Sequence, residues 1–329
     1  MRKNIAATPA LPVIGVIGLG IMGGIMAETL RGAGYRVNGY DITPAARARL
    51  KRAGGKPMAS TARVAQESDV LITSLATNAA LASVAAEIAA TAKPGTRPLV
   101  IETSTLPLAE KDAAAAVLKR AGIKVLDCPI SGTAARMKER AWTIFVSGEA
   151  KACKVALPIL RVFTDNVPHV GPYGHGTRMK YAANHLVAIY NVAYGEVVTF
   201  ARKMGLDPRR MLELFGNSPV LGTGVMRLRM PFMLERKYSP PTMKVQVWQK
   251  DMQVIGDMAK SLDCPLPLFN ACAPLYTTAM AQGLALQDTA AVAEVLGAMA
   301  GLPGRREGTG IRSASTEKRG REQRISRRK

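Results

Sequence analysis

Apolar residues follow two rhythms along this chain. In the first half they form short β-branched runs separated by stretches of helical spacing. Runs at residues 13–17, 35–41, 68–75, 98–103, 123–127 and 142–148 predict strands. Between them, the spacing through Met26, Leu30 and Ala33 predicts a helix, and a short helix precedes residue 68. Longer helices are predicted over 79–92, ended by Pro94-Gly95, and over 107–121, with Pro107 near the start. Strands alternating with helices predict an α/β fold with a doubly wound, mostly parallel sheet.

The rhythm changes near Gly174. One proline-free helical pattern covers 177–204, Gly205 is placed to cap it, and Asp207-Pro208 opens the next helix. From there to residue 300 or so, only helical segments are predicted. The expected organisation is a sheet domain over 1–174, an all-helical C-terminal domain over 175–302 led by a long interdomain helix, and a tail over 303–329.

The length of 329 residues fits two domains of ordinary size. The chain is 48% hydrophobic but only 5% aromatic, so an aliphatic core is expected. No apolar stretch approaches the roughly 18 uninterrupted residues of a membrane span. Residues 1–12 are basic and lack the apolar segment of a signal peptide, so a cytoplasmic location is expected. Cys128, Cys153, Cys264 and Cys272 show no CxxC spacing, and with His169, His175 and His185 they form no zinc pattern. Reduced, buried thiols and no metal are expected.

The formal charge of +21 is unevenly spread. From Pro303 onward ten Lys or Arg stand against three Glu, a net +7, which leaves +14 for the rest. That tail is too poor in apolar residues to offset the entropy of ordering, and is expected to be disordered. It reads as a solvated end, so nucleic acid is not an expected partner.

The segment Gly18-Leu19-Gly20-Ile21-Met22-Gly23 follows the first strand and opens the first helix. Gly18 permits a tight turn, Gly20 lets a pyrophosphate approach the backbone, and Gly23 lets helix and strand pack closely. The free amides and dipole of the helix start favour phosphate. A Rossmann-type dinucleotide site is therefore predicted, with Gly18, Leu19, Gly20, Ile21, Met22, Gly23 and Asp41 as its residues. Asp41 lies about twenty residues further on, where a carboxylate accepts ribose hydroxyls and repels a 2′-phosphate. NAD is accordingly expected over NADP, a discrimination that nearby Arg47 softens. The plainer role for Asp41 is to open the Asp41-Ile42-Thr43-Pro44 turn.

Four segments together resemble the β-hydroxyacid dehydrogenase family over most of residues 13–300. They are the glycine motif; Asp127-Cys128-Pro129-Ile130-Ser131-Gly132; the Gly-x-Gly-x-x-x-Lys-x-x-x-Asn pattern of Gly174, Gly176, Lys180 and Asn184; and Lys250-Asp251-Met252. The resemblance implies NAD-dependent oxidation of a small 3-hydroxy acid to the semialdehyde or keto acid, or the reverse reduction. It implies a small anionic hydroxy-acid or aldehyde-acid substrate and a homodimer or homotetramer. Lys180 becomes the acid/base. Asn184, one helical turn away, orients it or bonds the substrate. Ser131, Gly132 and Thr133 take the substrate carboxylate. Lys250 reaches the nicotinamide ribose or that carboxylate. Leu75, Ala76 and Thr105 flank the dinucleotide.

The chemistry agrees, because a neutral lysine can take the hydroxyl proton as hydride leaves. Its pKa must then be depressed by burial and a second cation, for which Lys250 is the candidate. The chain departs from the family in places. Thr133 stands where a second glycine is usual, Arg140-Ala141 where Gly-Thr is usual, Ala76 where Pro is frequent and Met243 where Phe is frequent. Arg136, Lys138 and Arg140 put positive charge on a loop expected near the site, to face a second anionic group or solvent.

Two other readings compete. An imine reductase-like NADP oxidoreductase is disfavoured by Lys180, which resembling enzymes generally replace. A non-catalytic dinucleotide-binding protein with a nucleic-acid-binding tail is disfavoured by the presence of Ser131, Lys180, Asn184 and Lys250 together.

Overall fold

The structure, a computed structural model, describes residues 11–91 and 98–304. The Pro94-Gly95 helix end and nearly all of the basic tail lie outside the described residues.

Six strands form the main sheet: β1 (Ile14–Ile17), β2 (Val37–Tyr40), β3 (Lys56–Pro57), β4 (Val70–Thr73), β5 (Leu99–Glu102) and β6 (Val125–Asp127). Their order is β3-β2-β1-β4-β5-β6, and every neighbouring pair is parallel. The chain reverses direction across the sheet between β1 and β4. That switch point opens a crevice at their carboxyl ends, the ligand position in such sheets.

The alternation of side chains along the strands builds two cores. Ile14, Val16, Val70, Ile72 and Ile101 pack with Met26 and Leu30 of α1 (Ile21–Gly32) and Leu50 of α2 (Pro44–Arg52). Ile17, Leu71 and Val100 pack on the other face, with Val64 of α3 (Thr61–Gln66), Leu81 of α4 (Asn78–Ala90) and Leu118 of α5 (Leu108–Arg120). Burial on both faces explains why the strands read as continuous apolar runs.

The expected strand over 142–148 does not join the parallel sheet. Thr143 and Ile144 form β8, antiparallel to β7 (Ile130–Ser131), and Ser147 pairs antiparallel with Asp127. The chain turns back after β6 without a crossover helix, so it arrives antiparallel. α2 and β7 escaped the hydrophobic pattern, and so did two further elements. β3 is a two-residue edge strand without an apolar run, and Pro158 obscures α6 (Ala150–Leu160), whose buried stripe is Ala152, Cys153, Ala156, Ile159 and Leu160.

The second half is built from α7 (His175–Lys203), α8 (Pro208–Phe215), α9 (Gly224–Glu235), α10 (Val245–Ser261), α11 (Pro267–Ala281) and α12 (Val292–Met299). Among its described residues there is no strand, only an isolated bridge between Lys244 and Asp288. Gly205 follows α7 at φ +75°, and the Asp207 side chain caps α8. Met226, Met230 and Met233 are core residues. Cys128, Cys153 and Cys272 are buried, whereas Cys264 is exposed, contrary to expectation; all four are free thiols. No helix among the described residues is long and apolar enough to cross a membrane.

α7 joins the two halves, and its first turn is capped from the sheet. Its N-cap is Gly174, at φ +89° and without a side chain to offer. Instead the Thr177 amide donates to Asp127 Oδ2 at 2.7 Å, the Thr177 hydroxyl to Asp127 Oδ1 at 2.8 Å, and the Gly176 amide to Ser147 Oγ at 2.9 Å. A carboxylate at this end also meets the positive pole of the helix. Gly176 has to be glycine, since a Cβ would stand 2.5 Å from the Phe145 carbonyl oxygen.

Asp127 is fully buried and its charge is balanced by Lys111, also fully buried. The Lys111 ammonium lies 2.6 Å from Asp127, 2.6 Å from Glu102 and 2.9 Å from the Ser104 carbonyl oxygen. The two carboxylates hold its pKa above the ordinary lysine value despite the opposing effect of burial. Lys111→Met leaves two buried carboxylates without a counter-charge. The expected loss is about 3–5 kcal/mol of unfolding free energy, measured by chemical denaturation. A loss below about 1 kcal/mol would mean that helix and backbone dipoles balance both charges unaided.

Candidate active site

The glycine motif is built as its spacing implies, each glycine for its own reason. Gly18 sits at φ +87°, and a Cβ there would fall 2.2 Å from the Ser74 carbonyl oxygen. A Cβ on Gly23 would fall 1.9 Å from the Gly18 carbonyl oxygen. Gly20 faces open space, and both Gly20 and Ile21 are exposed at the helix start. A dinucleotide pyrophosphate fits that bare, donor-lined turn.

Asp41 opens the turn, the plainer of the two roles weighed for it, and also ties that turn to the glycine motif. Its Oδ1 accepts from the Thr43 amide at 2.8 Å, which opens the turn into α2. Its Oδ2 accepts from the Leu19 amide at 2.7 Å, which draws the carboxylate to the glycine turn. Leu19, Gly20, Ile21, Glu28, Asp41 and Thr43 then line one groove. Arg47 donates to the Asp41 main-chain carbonyl and lies over the Tyr40 ring, 5.8 Å from its centre. At the end of β4 the half-buried Leu75 lies beside Gly18 and donates its amide to Ser104 Oγ at 2.8 Å, while Ala76 is exposed.

The chemical residues gather where α7 meets α10. Lys180 and Asn184 are both buried, one turn apart on α7. The Asn184 amide nitrogen donates to Asp251 Oδ2 at 2.8 Å, and Lys250 Nζ lies 3.5 Å from Asp251 Oδ1. Lys250 Nζ also donates to the Thr105 carbonyl oxygen, so Thr105 and Lys250 meet. The Lys180 pKa is lowered to about 8. Burial is the main cause, Asp251 opposes it, and Lys250 adds a smaller push downward. The expected second cation is therefore present, but it ranks behind desolvation.

Asp251 was not among the expected site residues. It falls on the apolar stripe of α10 with Trp248, Met252 and Ile255, and it is 5% exposed. A carboxylate on a buried stripe is itself a signal, because such groups are rarely buried without partners. Burial raises its pKa, while Lys250, Lys180 and Asn184 pull it down.

Ser131 and Gly132 follow from β7, which packs on α7. Gly132 lies flat against an indole: a Cβ would be 2.4 Å from Trp142 Cδ1. The Trp142 Nε1 proton goes to the Thr133 carbonyl oxygen at 2.7 Å, which pins the turn. The basic loop residues have protein partners. Arg140 holds the carbonyls of Arg161 and Val162 at 2.9 and 3.0 Å and pairs with Asp165 at 2.8 Å; Arg136 pairs with Glu139 at 2.7 Å. Lys138 is exposed. The histidines are structural: His169 bonds the Gly148 carbonyl oxygen, His175 that of Val170, and His185 stacks on Phe269. No cluster of potential metal ligands occurs among the described residues.

Residues 13–171 match the family described as the NAD binding domain of 6-phosphogluconate dehydrogenase. Residues 174–296 match that described as the NAD-binding region of NADP-dependent 3-hydroxyisobutyrate dehydrogenase. L-threonate dehydrogenase of Cupriavidus necator is 32% identical over 299 residues, covering 89% of this chain and 99% of that protein. A probable mitochondrial 3-hydroxyisobutyrate dehydrogenase of Dictyostelium discoideum is 30% identical over 306 residues, covering 89% of this chain and 94% of that one. The solved structure of Mycobacterium tuberculosis 3-hydroxyisobutyrate dehydrogenase with L-serine superposes at a TM-score of 0.79 with 25% identity, over 87% of this chain and 99% of that one. Fold, glycine turn and relatives define an NAD(P)-binding oxidoreductase acting on a CH–OH group. The chain belongs to the β-hydroxyacid dehydrogenase family.

Because Asp251 raises the Lys180 pKa, Asp251→Asn is expected to move the Lys180 titration to lower pH. The pH dependence of Lys180 labelling by an amine-selective reagent reads this directly. An upward move would show that the lost orientation of Asn184 and Lys250 outweighs the lost charge.

Proposed function

We propose that the protein is an NAD-dependent dehydrogenase of a small 3-hydroxy carboxylic acid, producing the semialdehyde or keto acid or catalysing the reverse reduction, with Lys180 as general acid/base. One observation carries this reading: a buried lysine whose pKa is lowered to about 8, set among Asn184, Lys250 and Asp251, on the helix that leaves the dinucleotide-binding half. A group titrating near the working pH is suited to moving a proton in both directions.

In oxidation, neutral Lys180 accepts the hydroxyl proton at Nζ; in reduction, its ammonium returns one. Asn184 gives an N–H to Asp251, and its amide oxygen remains to accept from the Lys180 ammonium or the substrate hydroxyl. Asp251 thus acts through Asn184 and Lys250 as a positioning residue. The Ser131 hydroxyl and the Gly132 and Thr133 amides take the carboxylate, in a turn that Trp142 holds rigid. Lys250, steadied on the Thr105 carbonyl, adds positive charge beside it. When bound, the nicotinamide supplies the hydride acceptor for oxidation.

The named relatives support the substrate class. L-threonate, 3-hydroxyisobutyrate and L-serine are all small acids with a hydroxyl on C3. Asp41 supports NAD over NADP, since its carboxylate is held at the edge of the nucleotide groove. The reading includes a homodimer or homotetramer located in the cytoplasm.

A panel of small hydroxy acids with NAD and NADP, followed by absorbance of the reduced cofactor, tests the activity. Lys180→Ala should lower turnover at least about a hundredfold while reduced cofactor still binds. Near-normal turnover in that folded variant would falsify the assignment. In the unmodified enzyme, kcat/KM for oxidation should rise with pH through about 8, as Lys180 loses its proton, and kcat/KM for reduction should fall over the same range.

Asp41→Ala should narrow the preference for NAD over NADP. Higher kcat/KM with NADP in the unmodified enzyme would overturn that preference.

A further inference from the structure

α2 sends two arginines toward the nucleotide groove, and they do different things. Arg47 is held by the Asp41 carbonyl and the Tyr40 ring. Arg49 reaches across to the glycine turn. Its guanidinium donates to the Leu19 carbonyl oxygen and, at 3.3 Å, to that of Gly20, and it stands 3.9 Å from Glu28 on α1. About half of this side chain is covered (44% exposed), and it lines the same groove as Asp41.

Gly24 makes room for this contact. A Cβ at Gly24 would stand 2.8 Å from Arg49 Nη2 and 3.2 Å from the Leu19 carbonyl oxygen. Gly24 lies outside the Gly-x-Gly-x-x-Gly spacing and inside α1, at no unusual φ. Glycine in a helix interior costs about 1 kcal/mol relative to alanine. The cofactor motif offers no reason for it; the passage of the guanidinium does.

The direction of pull matters because peptide groups are planar and trans. The Leu19 carbonyl shares its plane with the Gly20 N–H, and the Gly20 carbonyl shares its plane with the Ile21 N–H. In each plane the two groups point opposite ways. Holding the Leu19 carbonyl toward Arg49 therefore turns the Gly20 amide away from it, whereas the Gly20 carbonyl, which accepts from the Gly24 amide at 2.9 Å, and with it the Ile21 amide are aimed chiefly by the start of α1. Gly20 has open space beside it, and Ile21 is the first residue of α1.

We propose that Arg49 is a positioning residue for the cofactor pyrophosphate: by holding the Leu19 carbonyl from behind, it aims the Gly20 amide at the phosphates. The inference rests on reading the glycine turn as the dinucleotide site. The group recognised is the pyrophosphate that NAD and NADP share, rather than the 2′-phosphate that distinguishes them.

The test is calorimetric titration with ADP and 2′,5′-ADP, and fluorescence titration with NADH and NADPH. The proteins are the unmodified chain, Arg49→Gln, Arg49→Lys and Gly24→Ala. Arg49→Gln should weaken all four ligands by a similar factor of about ten, the scale of one lost charge-assisted contact. Gly24→Ala keeps the arginine but blocks its path, and should weaken them comparably; Arg49→Lys should recover part of the loss. Turnover at saturating cofactor should stay within about twofold, and the Lys180-dependent pH profile should not move. Unchanged ADP affinity in Arg49→Gln overturns the proposal. A loss confined to 2′,5′-ADP and NADPH also overturns it, and assigns Arg49 to the 2′-phosphate. An unmodified protein that binds none of the four would overturn the dinucleotide reading itself, a result distinct from both.

Discussion

A 29-residue helix begins in this protein without a cap of its own, and the sheet supplies one. The Asp127 carboxylate and the Ser147 hydroxyl take the amides that Gly174 cannot serve. Everything downstream depends on that junction. Lys180 lies one turn beyond it, and the neighbouring Tyr181 hydroxyl reaches the Leu106 carbonyl oxygen at 2.7 Å, fixing the same turn to the loop after β5. A carboxylate can be buried there only if its charge is met, and Lys111 with the helix pole meets it. The pairing of Lys111 with Glu102 and Asp127 therefore locks β5, α5, β6 and α7 into one frame. The two glycines before Lys180 belong to this junction: Gly174 adopts the left-handed turn, and Gly176 lets the helix end touch the sheet.

Two lysines in this chain are buried to a similar degree and titrate in opposite directions. Lys111 touches two carboxylates, and its pKa rises. Lys180 shares a cluster with only one carboxylate, Asp251, whose oxygens are engaged by Asn184 and Lys250, and its pKa falls to about 8. Burial alone does not set the outcome; the number of carboxylates in contact does. The first arrangement holds a fold together, and the second leaves an amine that loses its proton near pH 8.

Much of this was legible in the chain. Six of the named strands coincide with apolar runs, because strands covered on both faces carry little else. The glycine motif was legible because its spacing is local: Gly18 needs a positive φ and Gly23 meets the Gly18 carbonyl oxygen of the same turn, although the close approach of Gly18 to Ser74 comes from another strand. Lys180 and Asn184 were legible because helical spacing puts them on one face. The pairing of β7 with β8 was not, since the same apolar residues suit parallel or antiparallel partners and only the path of the chain decides. Arg49 was not legible either. A single arginine on a basic helix carries no pattern, and its meaning comes from Gly24, two elements away.

The sequence by itself determined what is set by neighbours along the chain: the alternating elements, the switch to helices near Gly174, the glycine turn, and the spacing of Lys180 and Asn184. Only the tertiary structure decided which charges would be buried together. Lys111 and Asp251 each interrupt an apolar stripe, a local sign of a buried charge, but their partners lie on other elements. Asp127 is 16 residues from Lys111 and 50 from Thr177, and Asp251 is 67 from Asn184. Periodicity along one element specifies which face turns inward; what a buried charge meets there depends on how separate elements cross, which no local spacing records.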